Sequence, residues 1–130
     1  MKVVAAIINY KKEILAFQRK YSSDKSISNK YEFPGGKVND NESDLCALKR
    51  ELWEELNLKI DRYHIFSSTE YEYPKKKVFL KFYICEINNL NFKLNVHKNY
   101  KLLNKNNIYD LDWLEGNYQV IESLMLKKII

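Results

Sequence analysis

Four glutamates and one arginine stand at fixed offsets between Gly36 and Leu58, in the segment GKVNDNESDLCALKRELWEELNL. Glu51, Glu54 and Glu55 occupy positions i, i+3 and i+4, so on a helix they span only about 100° of its circumference. Like charges that close destabilise a bare helix. The same spacing turns several hard oxygen donors to one side, which suits a divalent cation such as Mg²⁺ or Mn²⁺ held jointly with phosphate oxygens. Leu45, Leu48, Leu52 and Leu56 recur at spacings of three and four through the same segment and form an apolar stripe. The acidic face lies beside that stripe rather than opposite it, at the rim of a packed interface. Carboxylates placed there border a cleft, whereas a merely solvated face would lie across the helix from the core.

The elements that must position this helix are readable on either side of it. VVAAIIN and EILAFQR predict two strands joined at a polar tip around Tyr10 to Lys12, the pattern of a hairpin. Residues 20–30, rich in Ser, Asp, Asn and Lys, predict a loop leading into Tyr31-Glu32-Phe33-Pro34-Gly35-Gly36, where Pro and paired Gly impose a tight, irregular path. The helix is expected from about Ser43 to Leu56, with Ser43 or Asn41 as its N-cap. Beyond it, residues 59–73 and 77–87 read as two long strands around a turn at Pro74, followed by a weaker strand near Phe92 to Leu94. A polar loop rich in Asn and Lys then leads to a helix over about Tyr118 to Lys128, with Val120, Ile121, Leu124 and Met125 on one face. Strands interleaved with two helices indicate the α/β class, a mixed sheet covered on both faces in one domain over residues 1–130.

At 130 residues, with 45% apolar and 14% aromatic content, the chain is large enough to bury a core without disulfides. Its two cysteines, Cys46 and Cys85, lie in no metal-type Cys/His spacing and are expected to be reduced thiols. The N-terminus lacks the pattern of a signal peptide, and no apolar run reaches bilayer length, so a cytoplasmic protein with no membrane partner is expected. The net charge of +5 is spread over lysines from Lys11 to Lys128, with one tight cluster at Lys75, Lys76 and Lys77. No stable nucleic-acid partner follows from so dispersed a pattern, and a monomer is favoured. A basic exterior around an acidic site would draw in a polyphosphate, although a plain Lys-rich solvated surface accounts for the same charge.

With U for an apolar residue, the offsets fit G-x5-E-x7-R-E-U-x-E-E-x-G-U, and on this motif the chain resembles the Nudix hydrolases. Gly36, Glu42, Arg50, Glu51, Leu52, Glu54, Glu55 and Leu58 fill their places. Asn57 replaces the last glycine, and Asn is the next residue best able to adopt the left-handed conformation that position would take. Six fixed polar or glycine positions coincide by chance with a frequency below about 10⁻⁶ per start site at ordinary residue usage. The resemblance implies a Nudix-type α/β/α sandwich with a mixed central sheet, and cation-dependent hydrolysis of a nucleoside diphosphate linked to another group. It implies Glu54 and Glu55 as metal ligands and Glu51 as a ligand or as the base that orients the attacking water. Arg50 would orient these carboxylates, and the Gly35 carbonyl would complete the shell of Mg²⁺ or Mn²⁺. Glu42, near the helix N-terminus, reads first as structural.

Outside the motif the chain resembles the MutT-like branch, whose members convert 8-oxo-dGTP or related triphosphates to monophosphate and pyrophosphate in nucleotide-pool sanitisation and DNA repair. KYEFPGGKV, Arg19 at a strand end, EYEYP and Asn117 carry this resemblance. It implies Phe33 against the base, Arg19 on the phosphate or base, Lys76 near the substrate and Asn117 reading the base edge. Each also has a structural reading: Arg19 as an exposed strand-end charge, Phe33 as core, Lys76 as a turn-solubilising group, Asn117 as a helix cap. A (d)CTP-type substrate, a non-hydrolytic nucleotide-sensing module, RNA decapping and dinucleoside polyphosphate cleavage are the rival functions. Many MutT-like enzymes supply a further glutamate from a late loop, yet this chain has no Asp or Glu between Glu86 and Asp110. His97 and Lys98 occupy that region. A lone loop His is expected to be solvent-exposed, and it is given no role.

Overall fold

Side chains alternate across the first strand, β1 (Lys2–Tyr10), sending Val4, Ala6 and Ile8 to one face of a sheet and Ala5 and Ile7 to the other, all buried. The computed structural model describes residues 1–73 and 76–130. The turn expected at Pro74 lies outside the described residues, as does Lys75 of the lysine cluster. The second strand, β2 (Glu13–Gln18), returns antiparallel to β1 through Lys11 and Lys12, both at positive φ. That conformation is what a two-residue hairpin turn demands, and the Asn9 side chain steadies it by accepting from the Lys12 N–H at 3.0 Å.

The other strands are β3 (Tyr31–Glu32), β4 (Gly35–Lys37), β5 (Arg62–Tyr73), β6 (Lys76–Glu86) and β7 (Asn99–Leu103). Their order is β3-β2-β1-β6-β5, with β4 on β1 and β7 on β2. β1 and β6 run parallel and the remaining pairs antiparallel, so the sheet is mixed as expected. Helix α1 (Asp44–Leu56) covers one face through Ala47, Leu48, Leu52 and Leu56, which meet Val4, Ala6, Ile8, Leu15 and Phe17. Helix α2 (Tyr118–Leu126) covers the other through Val120, Ile121 and Leu124, against Ala5, Ile7, Phe82 and Ile84. Two cores on opposite faces of one sheet make the α/β/α sandwich.

Local chemistry sets both ends of α1. Ser43 Oγ accepts from the Cys46 N–H at 3.1 Å, which satisfies one orphan donor of the first turn. Asn57 adopts φ 51°, ψ 37°, the left-handed state its position requires, and the following Leu58 N–H returns to the Leu52 carbonyl at 3.3 Å.

One expected element is corrected. Residues 92–94 form no strand; instead the Lys93 and Asn95 N–H groups donate to the carbonyls of Leu56 and Glu55 at 2.8 and 3.0 Å. These carbonyls at the end of α1 need donors, and the segment supplies them. The strand in this region is β7, within the stretch expected to be a polar loop, with Leu103 opposite Ile14. Among the described residues no helix is long and apolar enough to cross a membrane.

Candidate active site

Strand β3 and the Pro34 corner carry the chain from the sheet edge to the foot of α1. Tyr31 is held on both sides of its peptide, its N–H donating to the Asp112 carbonyl at 2.9 Å and its carbonyl accepting from the Leu114 N–H at 2.8 Å. This pairing brings the start of α2 beside Phe33. The Asn117 side chain makes no cap bond to α2; its Oδ1 accepts from the Phe33 N–H at 3.4 Å and its Nδ2 donates to the Leu114 carbonyl at 3.2 Å. Asn117 stands at the N-cap position of α2, but its side chain is spent on Phe33 and Leu114 rather than on the helix. Phe33 is buried against Trp113 and Phe82, with ring centroids 4.9 and 6.2 Å apart, so it is a core residue that also lines the cavity beside Asn117.

That cavity, about 510 Å³, brings together Arg19, Phe33, Gly35, Glu55 and Asn117, residues taken from four separate parts of the chain. Lys76 does not join them. It is exposed at the start of β6, four residues before Leu80, where that strand first lines the cavity. Glu51 sits just behind the wall, its carboxylate packed against Gly36; a Cβ on Gly36 would lie 2.4 Å from Glu51 Cδ. A Cβ on Gly35 would meet the Val4 carbonyl oxygen at 1.9 Å, so the backbone passes here only without side chains.

Arg50 organises the rim. Its Nη2 donates to Glu42 Oε1 at 2.6 Å and to the Lys37 carbonyl at 3.0 Å, its Nε to Glu42 Oε2 at 3.1 Å, and its Nη1 to Glu51 Oε1 at 2.9 Å. The same Nη1 reaches Glu54 Oε2 at 3.4 Å. Glu42 also accepts from the Asn39 N–H at 2.9 Å, which agrees with a structural role in the loop. These donors hold the Glu42 carboxyl below the usual range, the Arg50 guanidinium first and the Asn39 amide second.

The helix carboxylates do not all face one point. Glu51 and Glu54 turn to Arg50, and Glu54 is 57% exposed, while Glu55 turns inward. Among the described residues no three His, Cys, Asp or Glu side chains are gathered closely enough to make a ready-formed cation cage. The guanidinium explains the separation, since it draws two of the three charges to itself.

Glu55 is the exception. Burial, then the facing charges of Glu32 and Glu51, push its carboxyl up to about 8, against the opposing Gly35 N–H and Arg19. Its Oε2 is buried and has no hydrogen-bond partner among the described residues. A buried carboxyl with an unpartnered oxygen, crowded by two further carboxylates and resisting ionisation for that reason, is the environment a hard dication relieves, so these residues fit Mg²⁺ or Mn²⁺.

Two residues of the site escaped the motif. Glu32 on β3 accepts from Arg19 Nη1 at 3.1 Å through Oε1 and pairs with His97 Nε2 at 2.8 Å through Oε2. His97 is not the solvent-exposed loop residue expected from sequence; it is buried, its ring 5.4 Å from that of Phe17. Glu32 lies one residue before Phe33, inside the segment that carries the resemblance, and that position was its available signal. Nothing local marks His97, which meets Glu32 across 65 residues of sequence.

Residues 1–115 match the NUDIX domain. The chain belongs to the NUDIX family, in its MutT-like branch, and is a hydrolase of that family. It is 34% identical over 118 residues to the 8-oxo-dGTP diphosphatase of Buchnera aphidicola subsp. Acyrthosiphon pisum, covering 74% of this chain and 95% of that one. Against the 8-oxo-dGTP diphosphatase of Escherichia coli strain K12 the identity is 36% over 83 residues, 64% of this chain and 63% of that one. The solution structure of the E. coli ORF135 protein superposes with a TM-score of 0.83 at 26% identity, covering 98% of this chain and 89% of that one. Nudix hydrolases generally require a divalent cation.

Proposed function

We propose that this chain hydrolyses nucleoside triphosphates to a monophosphate and pyrophosphate, with 8-oxo-dGTP as the preferred substrate and Mg²⁺ or Mn²⁺ as the cofactor. The observation that carries the reading is the single cavity lined both by Asn117 and Phe33 and by Glu55 and Gly35. A base and its phosphates need those two kinds of lining at once. The similarity to proteins named 8-oxo-dGTP diphosphatase supports the choice of nucleotide.

Glu55 and the Gly35 carbonyl would hold the cation, joined by Glu51 and Glu54 on turning from Arg50. When bound, the cation neutralises charge on the phosphoryl group and acidifies water. Arg50 keeps Glu51 against Gly36, where the carboxylate can receive the proton of the attacking water. Water adds to one phosphorus of the α–β bridge, the bridging P–O bond breaks, and the bridging oxygen leaves with the electron pair on the other fragment, giving the monophosphate and pyrophosphate. Arg19 binds the phosphates by charge, and Phe33 and Asn117 hold the base, so that most of the rate gain is positional. In this reading residues 1–130 form one catalytic domain, acting as a monomer on the cytoplasmic nucleotide pool.

The test is kcat/KM for 8-oxo-dGTP, dGTP, dCTP and CTP with Mg²⁺. Preference for 8-oxo-dGTP supports the assignment. Preference for a cytidine nucleotide would move the substrate while keeping the reaction, and binding without turnover would contradict the reaction itself.

A further inference from the structure

Arg19, Glu32 and Glu55 line the site cavity and also a second cavity of about 370 Å³, which His97 and Lys20 help to enclose. The Glu32 carboxylate is shared at this junction between two donors, Arg19 Nη1 at 3.1 Å and His97 Nε2 at 2.8 Å. A carboxylate with a donor on each oxygen cannot rotate without losing both. The imidazole is fixed as well. Its side chain is 2% exposed, its ring packs on Phe17, and the next residue, Lys98, donates its N–H to the Gln18 carbonyl at 3.0 Å. Because Glu32 accepts, Nε2 carries a proton, and Nδ1 is buried with no hydrogen-bond partner among the described residues.

Arg19 is the more exposed member of the chain of contacts. Its side chain is 39% exposed, and a free guanidinium at a cavity mouth samples many rotamers. We propose that His97 is a positioning residue for substrate binding: by fixing Glu32 it holds the Arg19 guanidinium over the junction of the two cavities, where it meets the phosphates of a nucleoside triphosphate. The inference rests on the proposed function and adds to it the device that orders the phosphate-binding cation. His97 touches no substrate atom in this account.

The contribution is that of a hydrogen bond to a charged group, so losing it should weaken nucleotide binding about tenfold or more. The experiment measures the affinity of α,β-imido-dGTP with Mg²⁺ by calorimetry, beside steady-state kinetics on the preferred triphosphate, for wild type, His97→Phe, His97→Gln and Glu32→Gln. His97→Phe keeps an aromatic ring but no donor, and should weaken binding and raise KM about tenfold while kcat changes less than about twofold. His97→Gln, which again presents an N–H, should restore most of the affinity. Glu32→Gln leaves His97 in place and should weaken binding as His97→Phe does, which decides the matter if the phenylalanine variant does not fold.

Wild-type affinity in His97→Phe, a His97→Gln protein as weak as His97→Phe, or tighter binding in Glu32→Gln would each overturn the inference. A wild-type enzyme with normal turnover and any of those results leaves the proposed function standing. A wild-type protein that neither binds nor hydrolyses a nucleoside triphosphate overturns both.

Discussion

Arg50 and Glu42, eight residues apart, face each other through two hydrogen bonds, Nη2 to Oε1 at 2.6 Å and Nε to Oε2 at 3.1 Å. The pair ties the loop before α1 to the helix itself, with the Lys37 carbonyl as a third anchor, and leaves Nη1 free for Glu51 and Glu54. A planar, forked cation is what this geometry needs.

Arg50→Lys should therefore be far from conservative. A lysine cannot serve Glu42 bidentately and still reach Glu51, so kcat should fall by roughly 10–100-fold with KM for nucleotide little changed. Steady-state kinetics on the purified variant checks this. Retention of more than about half of wild-type kcat would remove Arg50 from the orienting role.

The two glycines of the corner should fail differently when replaced by alanine. At Gly35 the new Cβ meets Val4 backbone, which cannot move aside, so Gly35→Ala should lose stability by about 1–3 kcal/mol or more. At Gly36 the obstacle is the Glu51 carboxyl, which can swing away. Gly36→Ala should melt close to wild type yet lose most activity. Thermal melts beside turnover separate the two, and an active Gly36→Ala enzyme would show that Glu51 does not need its place behind the wall.

Glu55 sets a pH dependence with a definite sign. Its folded carboxyl, at about 8, lies above the ordinary 4.5, so between those values the metal-free native state holds a proton that the unfolded chain has released. The contribution is fully present below the unfolded value and is lost as pH rises through the folded one. Metal-free melting temperature should thus decline from about pH 5 to about pH 8, and Glu55→Gln should flatten the decline. Mn²⁺ should raise the melting temperature of wild type by mass action, most at the alkaline end where Glu55 has lost its proton. Melting curves unmoved by millimolar Mn²⁺ at every pH would count against Glu55 as a ligand.

Asn117 should govern the choice of base. Oxidation at C8 turns guanine N7 into an N–H donor while O6 stays an acceptor, and one side-chain amide can answer both. Ordinary guanine leaves the amide oxygen facing a lone pair, a mismatch worth about 1–3 kcal/mol. Asn117→Ala should lower kcat/KM for 8-oxo-dGTP far more than for dGTP. Equal losses on both substrates would return Asn117 to its bonds with Phe33 and Leu114, a purely structural part.

The contrast between α1 and the late loop explains what could be read from the sequence. Ser43, the leucine stripe and Asn57 act through neighbours within a turn or two, so residue type and spacing sufficed to place the helix, its caps and its carboxylates. Strand β7 depends on β2, some eighty-five residues earlier, and residues 92–95 depend on carbonyls at the end of α1; neither dependence leaves a local pattern. The same holds for the site. Spacing put Glu51, Glu54 and Glu55 on one helix but could not tell that Arg50 would bind two of them, Glu51 behind the wall and Glu54 at the exposed rim, and leave Glu55 facing Glu32. His97 looked like an exposed loop residue because the polar partner its ring has among the described residues comes from β3.

The central claim is tested most directly by following ³¹P resonances while the purified wild-type protein acts on 8-oxo-dGTP with Mg²⁺. The account predicts pyrophosphate and the nucleoside monophosphate appearing in equal amounts, with no orthophosphate and no reaction once the cation is chelated. Orthophosphate with a nucleoside diphosphate, or a bound triphosphate that stays intact, would contradict it.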